Sequence, residues 1–531
     1  MSQSSIQIAK SAGVMSVATM VSRILGLVRE QLIATLFSRT ATDAFYVAFR
    51  IPNLLRDLFA EGAMSSAFVP TFTEYLRNRS KKEAWELASN ILNLLLVGLS
   101  LTTVVGILFS ESLVSKFAGE FRATPGKFEL TVLLTQIMFP FLPMVALAAV
   151  LMGILNSHGS FFLPALAPAL FNVGSLVLAL GLYFWLPAWG YDPVLGMAIG
   201  TLCGGALQLL IQVPPLLRKG FAYSASLNLQ HPGVQRILLL MGPGTIGLAS
   251  TQVNIFVNTW LATSQGEGPV SWLNYAFRLM QFPLGIFGVA IASATLPTVS
   301  AHVAMRELEG LRKTLSSALR MVLVINIPAS LGLIFLSRPI VALIYEHGKF
   351  KQTDTDHTSK ALIFYAIGLF AYSGIKVLVP AFYALRQSRV PVIISTIAVA
   401  ANIALNLGLV GPFGYLGLAL GTSITAIGNF GLLFHQLQRV AGRFAGMEIF
   451  ALGLKMLAAS AIMGVVSMGS YAWLMPSAAH VSLVSEALFL GLSISLGLAT
   501  LYGACRLIRI EEVETASGLV KSKLRRLFGR S

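Results

Sequence analysis

Apolar stretches of about 20 residues, the length that crosses the hydrocarbon core of a bilayer, recur along the whole chain. Nearly every gap between clusters of charged residues holds one such stretch, which predicts an all-α, polytopic membrane protein with about 14 transmembrane helices. Charged residues interrupt the first two stretches most strongly. The predicted spans are 10–36, 43–76, 84–109, 129–156, 161–186, 194–217, 233–262, 270–300, 314–337, 359–385, 391–410, 415–437, 448–474 and 483–506.

The composition is typical of a membrane protein, because 55% of the residues are hydrophobic, only 11% are charged and the mean hydropathy is +0.75. The first apolar stretch lacks the pattern of a cleavable signal peptide. Cys203 and Cys505 are far apart and the histidines are scattered, so we expect neither a disulfide framework nor a metal site. The sequence has no phosphate-binding glycine loop of the ATPase type. We therefore predict a transporter without a cofactor, driven by an ion gradient, the membrane potential or the substrate gradient.

The formal net charge of +16 is largely explained by membrane topology. Basic residues cluster in alternate loops, while the opposite loops are short or carry both signs of charge. This pattern predicts cytoplasmic N- and C-termini by the positive-inside rule, and it does not indicate nucleic-acid binding. The basic tail at 509–531 is predicted to lie against anionic headgroups, with a solvated topology anchor as the alternative.

Three pairs of motifs indicate an internal repeat. Pro70 pairs with Pro297 and Pro164 with Pro391, each 227 positions apart, and Gly196 pairs with Gly417, 221 positions apart. Two units of six spans enter the membrane from the same side, so the repeat is parallel and predicts two pseudo-symmetric lobes around a central cavity. The predicted domains are an N-lobe at 1–217 with spans 1–6, a C-lobe at 231–440 with spans 7–12, two extra spans at 447–508, and the cytoplasmic tail at 509–531.

A cluster of charged residues lies in the first two spans. Ionisable side chains at membrane depth are costly and usually face a bundle interior or a wet cavity. Arginine predominates, and its planar guanidinium suits phosphate better than the point charge of lysine does. The cluster therefore predicts a basic cavity that handles an anionic, phosphate-bearing ligand. Its members are Arg23, Arg29, Glu30, Asp43, Arg50, Arg56, Asp57 and Glu61.

The second repeat has few intramembrane charges, chiefly Arg278 in the eighth span and Lys376 in the tenth. If the lobes face each other, both cations would look across the cavity at the arginines of the first repeat. Arg23 and Arg50 have a second interpretation, because either side chain could extend to the membrane interface instead.

Local pairing is the alternative explanation for several of these charges. Adjacent residues on a helix do not face each other, so we do not expect ion pairs between Arg29 and Glu30 or between Arg56 and Asp57. Asp43 has three open interpretations: pairing in a gate, coupling to an ion, or capping the N-terminus of a helix.

Several long motifs resemble the MurJ (MviN) family of lipid II flippases over nearly the whole chain. The most specific is TDAFYVAFRIPNLLRDLFAEGA at 42–63, which continues into AFVPT at 67–71. The others are RLMQFPLGIFG at 278–288, YEHGKF at 345–350 and KVLVPAFY at 376–383. The resemblance weakens only in the last two spans and the tail.

The resemblance implies a fourteen-helix member of the multidrug/oligosaccharidyl-lipid/polysaccharide exporter superfamily. It implies that the protein moves lipid II, the undecaprenyl-diphosphate-linked peptidoglycan precursor, to the outer leaflet of the bacterial cytoplasmic membrane by alternating access. Expected partners are lipid II, membrane lipids and the peptidoglycan synthesis machinery. The extra helices at 447–508 would form a groove for the lipid tail. The implied diphosphate-binding residues are Arg23, Arg29, Arg56 and Arg278, and the gating or coupling residues are Asp43, Glu61, Lys376, Glu30 and Asp57.

One departure from the family pattern concerns ion coupling. Some relatives bind sodium through acidic residues of spans seven and eleven, whereas these spans here carry Gln252, Asn254, Asn402 and Asn406. We therefore expect coupling to protons or to the membrane potential. The alternative functions are a flippase for another polyprenyl-diphosphate-linked glycan, a multidrug exporter of related fold, and a non-transporting scaffold.

Overall fold

The computed structural model describes residues 3–57, 63–444, 446–475, 482–510 and residue 512. These residues form 21 α-helices and contain no β-strand. The helices are α1 (Gln3–Leu36), α2 (Arg39–Arg56), α3 (Ala63–Asn78), α4 (Lys81–Leu108), α5 (Ser110–Ala118), α6 (Lys127–Met138), α7 (Phe141–Ser157), α8 (Phe162–Trp185), α9 (Leu195–Leu210), α10 (Val213–Arg218), α11 (Pro232–Thr263), α12 (Pro269–Pro283), α13 (Val289–Ala304), α14 (Leu308–Phe335), α15 (Ser337–Tyr345), α16 (Gln352–Ala366), α17 (Leu369–Ala384), α18 (Arg389–Phe413), α19 (Tyr415–Ala441), α20 (Gly446–Leu474) and α21 (Leu483–Leu507).

Ten helical segments of the described residues are long and apolar enough to cross a membrane, or eleven if the bent pair α16 and α17 forms one span. The predicted class, an all-α polytopic membrane protein, is confirmed. Helices α1 to α3 coincide with the first two predicted spans and carry most of the charged residues that interrupt their hydropathy. The exact number of 14 spans stays a prediction.

The first compact unit consists of Met1–Ser271 together with His347–Phe350. Its core lies between α3, α4 and α7, where Phe68, Phe72, Trp85 and Ile154 are buried. Helices α8 and α9 pack closely because small residues let their backbones approach. A Cβ added at Gly200, for example, would lie only 2.6 Å from the carbonyl oxygen of Ser175.

An extended segment at 221–230 connects α10 to α11 and lies along α4 in the same unit. The amide nitrogen of Asn93 donates to the carbonyl oxygens of Ser224 and Ser226 at 2.9 and 2.8 Å. The side-chain oxygen of Asn90 accepts from the backbone N–H of Asn228 at 2.8 Å. These bonds satisfy backbone groups that have no helical or sheet partner. Helix α11 packs in the first unit, while the repeat-based lobe boundaries stay a prediction.

The second compact unit consists of Trp272–Glu346 and Lys351–Ser531. Helix α14 is central, since it packs against α13, α17 and α20, and α20 in turn packs against α21. Between α12 and α13 the chain passes through a π-helical turn, Leu284–Gly288, directly after Pro283. Proline removes a helical hydrogen bond, which accounts for the irregular turn at this position. The buried core residues include Leu315, Leu319, Leu378, Phe382, Leu433 and Met456.

Candidate functional site

Arg29 and Glu30 are buried in α1, with 8% and 1% of their surfaces exposed. The Nη2 atom of Arg29 lies 3.3 Å from Oε1 of Glu30, and the guanidinium carbon lies 5.3 Å from the centre of the Phe171 ring. The hydroxyl of Tyr46 on α2 donates a hydrogen bond to the other oxygen of Glu30. The acid and the aromatic ring together fix the orientation of the arginine.

Arg56 and Asp57 form a second pair where α2 ends. The Nη2 and Nε atoms of Arg56 lie 2.7 and 3.1 Å from Oδ1 of Asp57. Both side chains are about a quarter exposed, at 21% and 26%, so this pair is more accessible to solvent than the pair on α1.

These contacts correct the expectation that adjacent residues would not pair: Arg29 pairs with Glu30, and Arg56 with Asp57. Successive side chains on a helix point about 100° apart, which separates short groups. The long guanidinium arm nevertheless reaches sideways around the helix, and Asp57 lies at the helix end, where the rule is weakest. A pair of this kind does not exclude a second anionic partner, because a guanidinium carries five N–H donors.

Two cations of the second unit, Arg278 on α12 and Lys376 on α17, are exposed despite their apolar surroundings in the sequence. An exposed cation on a membrane-spanning helix has to meet water, headgroups or an anionic ligand. Arg23 and Arg50 are half-buried. Glu61 lies outside the described residues.

Asp43 lies inside α2 and has no exposed surface. Its carboxylate is 2.9 Å from Nζ of Lys127 and accepts from the backbone N–H groups of Gly268 and Ser271 at 2.7 and 3.0 Å. The hydroxyl of Ser271 donates to it at 2.6 Å. The interpretation of Asp43 as the N-cap of its own helix is wrong, because Ser38 occupies that position and accepts from the N–H of Ala41.

Sequence reasoning missed Lys127. The residue begins α6 directly after Gly126, which has a φ of +75°, and only 1% of its side chain is exposed. Its ammonium lies 4.0 Å from the centre of the Phe121 ring, a cation–π geometry. A lysine at the start of a span is normally assigned to solvent, so its position in the sequence offered no signal of burial.

Two of the four amide residues that stand in place of the acidic sodium ligands of some relatives lie on α18. Asn402 and Asn406 are buried there, and Nδ2 of Asn406 donates to Oδ1 of Asn402 at 3.0 Å. Across the described part of the chain, no three His, Cys, Asp or Glu residues are grouped as metal ligands would be.

An apolar cavity of about 510 Å³ lies within the second unit, between α14, α17, α19 and α20. Aliphatic and aromatic side chains form nearly all of its wall, so it suits a hydrocarbon chain better than a polar ligand. The lining includes Leu323, Ile327, Phe370, Phe430, Phe450 and Leu454.

Comparison with known proteins decides the family. The family model described as "Lipid II flippase MurJ" matches residues 32–492. The chain belongs to the MurJ family. A probable lipid II flippase MurJ of Vibrio cholerae is 37% identical over 436 residues, which cover 81% of this chain and 82% of that protein. A solved structure of lipid II flippase MurJ in an inward closed conformation has a TM-score of 0.75 at 27% identity and covers 92% of this chain and 98% of its own.

The wider fold is shared with a multidrug resistance MATE family transporter in an inward-facing conformation. It has a TM-score of 0.67 at 19% identity, with 83% of this chain and 98% of that chain covered. At this identity the likeness concerns the fold alone. Membership of the MurJ family confirms the predicted family, a transporter rather than an enzyme, and a multi-pass membrane protein. The roles of the individual site residues stay predictions.

Proposed function

We propose that the protein moves lipid II from the inner to the outer leaflet of the bacterial cytoplasmic membrane by alternating access. The observation that carries this proposal is the match of the MurJ family model to residues 32–492. The arginines on α1, α2 and α12 agree with it, because a diphosphate needs cationic partners when its headgroup crosses the membrane.

Four arginines bind the diphosphate in this proposal: Arg23, Arg29, Arg56 and Arg278. Guanidinium groups make short, bidentate hydrogen bonds to phosphate oxygens. Burial of Arg29 beside Phe171 supports a preorganised donor, and the exposure of Arg278 supports a side chain that can meet a ligand directly.

The lipid tail occupies the apolar cavity between α14 and α20. A chain of isoprene units needs a continuous hydrocarbon environment, and each buried methylene group contributes about 0.8 kcal/mol. Helices α20 and α21 lie outside the sequence repeat, which supports a role for them that the two lobes do not share.

A second set of charged residues controls release and coupling in this proposal: Asp43, Glu61, Lys376, Glu30 and Asp57. A carboxylate that already pairs with an arginine competes with the diphosphate for it, so the pairs of Glu30 and Asp57 favour release after the headgroup has crossed. Coupling to protons or to the membrane potential drives the cycle, because moving one charge across 100 mV is worth about 2.3 kcal/mol.

The proposed orientation places both termini in the cytoplasm. The basic tail at 509–531, most of which lies outside the described residues, is assigned to the anionic lipid surface by its charge alone. Lipid II then reaches the protein from the leaflet in which it is made. On the outer side, the peptidoglycan synthesis machinery takes up the product.

Exposure of lipid II at the outer leaflet tests the proposal. Cells depleted of their own flippase would express the wild-type chain, Arg56→Ala, or the control Arg79→Ala, and an external enzyme would cleave exposed lipid II. Arg79 is a suitable control because it is 54% exposed and pairs with Glu83 outside the arginine set. We expect cleavage with wild type and the control, and at least about a tenfold loss with Arg56→Ala, the range for a lost charge-assisted contact.

Failure by a membrane-inserted wild type would overturn the proposed substrate. The next test would then use another polyprenyl-diphosphate-linked glycan, since the phosphate and tail sites would be the same. Normal cleavage by Arg56→Ala would leave the function intact and remove Arg56 from the binding set.

A further inference from the structure

Lys127 is a fully buried cation that has no role in the binding and gating set above. Its Nζ atom lies 2.9 Å from Oδ2 of Asp43 and 4.0 Å from the centre of the Phe121 ring. Lysine is almost never fully buried unless it is paired, because desolvation of an ammonium is expensive. The ion pair with Asp43 therefore makes the burial of Lys127 energetically tolerable.

The carboxylate of Asp43 is saturated only when Lys127 is present. It accepts four hydrogen bonds, and an ionised carboxylate offers about four lone-pair sites. Three of the donors are neutral: the backbone N–H groups of Gly268 and Ser271, and the hydroxyl of Ser271. Over the described residues, Lys127 is the one charged partner of Asp43.

The other partners of Asp43 belong to the beginning of α12. N–H groups in the first turn of a helix have no partner within the helix, and a negative charge is favourable there. Asp43 supplies both the acceptor and the charge. The same helix carries Arg278, seven residues beyond Ser271.

We propose that Lys127 is a positioning residue for transport, which holds the carboxylate of Asp43 on the first turn of α12. The inference rests on the proposed function, in which Arg278 binds the diphosphate. Without Lys127, the carboxylate is a buried charge with neutral donors only, which is a costly arrangement away from water. Loss of the ion pair lets the carboxylate shift away from the donors of Gly268 and Ser271, so the first turn of α12 loosens and Arg278 is no longer held in place.

Hydrogen exchange of the purified full-length protein tests the structural half of this proposal. The compared proteins are wild type, Lys127→Met and Lys116→Met, a control on α5 whose lysine is exposed. In Lys127→Met we expect the hydrogen-exchange rate of residues 265–275 to rise at least about tenfold, as for a local opening. The exchange rate of residues 81–108 should be unchanged. Unchanged exchange at 265–275 would overturn the proposal, and so would a uniform rise over the whole chain.

A double-mutant cycle with lipid II exposure tests the functional half. A residue that acts through Asp43 has little effect once Asp43 is altered, whereas a lost packing contact adds independently. We expect Lys127→Met to lower transport at least about tenfold in the wild-type background and less than about twofold in the Asp43→Asn background. Equal losses in both backgrounds would overturn the positioning role.

The two experiments separate this inference from the proposed function. Hydrogen exchange requires no substrate, so it decides whether Lys127 holds the first turn of α12 even if wild type exposes no lipid II. In that case the proposed substrate would be wrong, but hydrogen exchange would still show whether Lys127 positions α12. Lys127→Arg keeps the charge. Wild-type hydrogen exchange at 265–275 and wild-type lipid II exposure in this variant would support the proposal further.

Discussion

The hydroxyl of Tyr46 on α2 donates a hydrogen bond to the buried carboxylate of Glu30 on α1. The same carboxylate pairs with Arg29, whose guanidinium packs over Phe171 on α8. Glu30 therefore links the orientation of Arg29 to the position of α2. An arginine held in this way loses less side-chain entropy when a ligand binds, which is the advantage of a preorganised site.

Removal of the Tyr46 hydroxyl tests this link. Tyr46→Phe leaves a buried charge with one donor fewer, and hydrogen bonds to charged groups contribute about 1.5–3 kcal/mol. We expect a lower thermal unfolding midpoint and a severalfold decrease in lipid II exposure. Tyr191→Phe is the control, because Tyr191 is 55% exposed. Equal behaviour of the two variants would show that the hydroxyl of Tyr46 does not orient the arginine.

Arg278 allows binding to be separated from stability. Its side chain is exposed, so we expect Arg278→Ala to change the unfolding midpoint little and to abolish transport. Arg278→Lys keeps the charge and loses bidentate geometry, so we expect partial activity. Arg338→Ala in the same unit is the control, since Arg338 is 56% exposed and pairs with Asp356. Normal growth of flippase-depleted cells on Arg278→Ala would remove this residue from the binding set.

Gly348 shows why one motif of the sequence needs glycine. Its φ is +58°, and an added Cβ would collide with the carbonyl oxygen of Thr35, which also accepts from the N–H of Lys349 at 2.8 Å. Gly159 has a φ of +73° and open space around it, so it provides a matched control.

We expect the two alanine substitutions to differ in cost. Gly159→Ala should cost about 1–2 kcal/mol from left-handed strain alone. Gly348→Ala should cost about 1–3 kcal/mol more, because the clash displaces backbone. Thermal unfolding of the purified variants measures both values, and equal costs would contradict the importance of the contact with Thr35.

The sequence predicted the helices well, because hydropathy reports directly on the cost of placing a segment in lipid. The third predicted span, 84–109, corresponds to Lys81–Leu108, and the last, 483–506, to Leu483–Leu507. The charges of α1 and α2 were also found from sequence, since ionisable residues in apolar segments are rare. Hydropathy therefore predicted the helices, and the charges that interrupt it indicated the candidate side chains.

Pairing between side chains was not predictable by the same reasoning. Lys127 and Asp43 are 84 residues apart, and nothing local indicates that a lysine at the beginning of a span is buried. The pairs on adjacent residues were excluded by a rule about helix faces that ignores the reach of arginine. Both failures concern long side chains, whose charged ends lie far from the backbone positions that patterns describe.

The apolar cavity of the second unit offers a test that distinguishes tail binding from headgroup binding. Gly453 on α20 lines the cavity, and an added Cβ would make an ordinary contact of 3.8 Å with Leu323. Gly453→Phe should therefore fold and place a ring where the tail would lie. Gly469→Phe on the same helix is the control, because nothing lies within 4 Å of its added Cβ.

Binding of lipid II and of a short-chain analogue to the purified variants gives the measurement. Two or more expelled methylene groups at about 0.8 kcal/mol each predict at least about a tenfold loss of lipid II affinity in Gly453→Phe. The analogue reaches only the arginines, so its affinity should be unchanged in both variants. A loss for both ligands would indicate a distorted headgroup site, and no loss for either would place the tail outside this cavity.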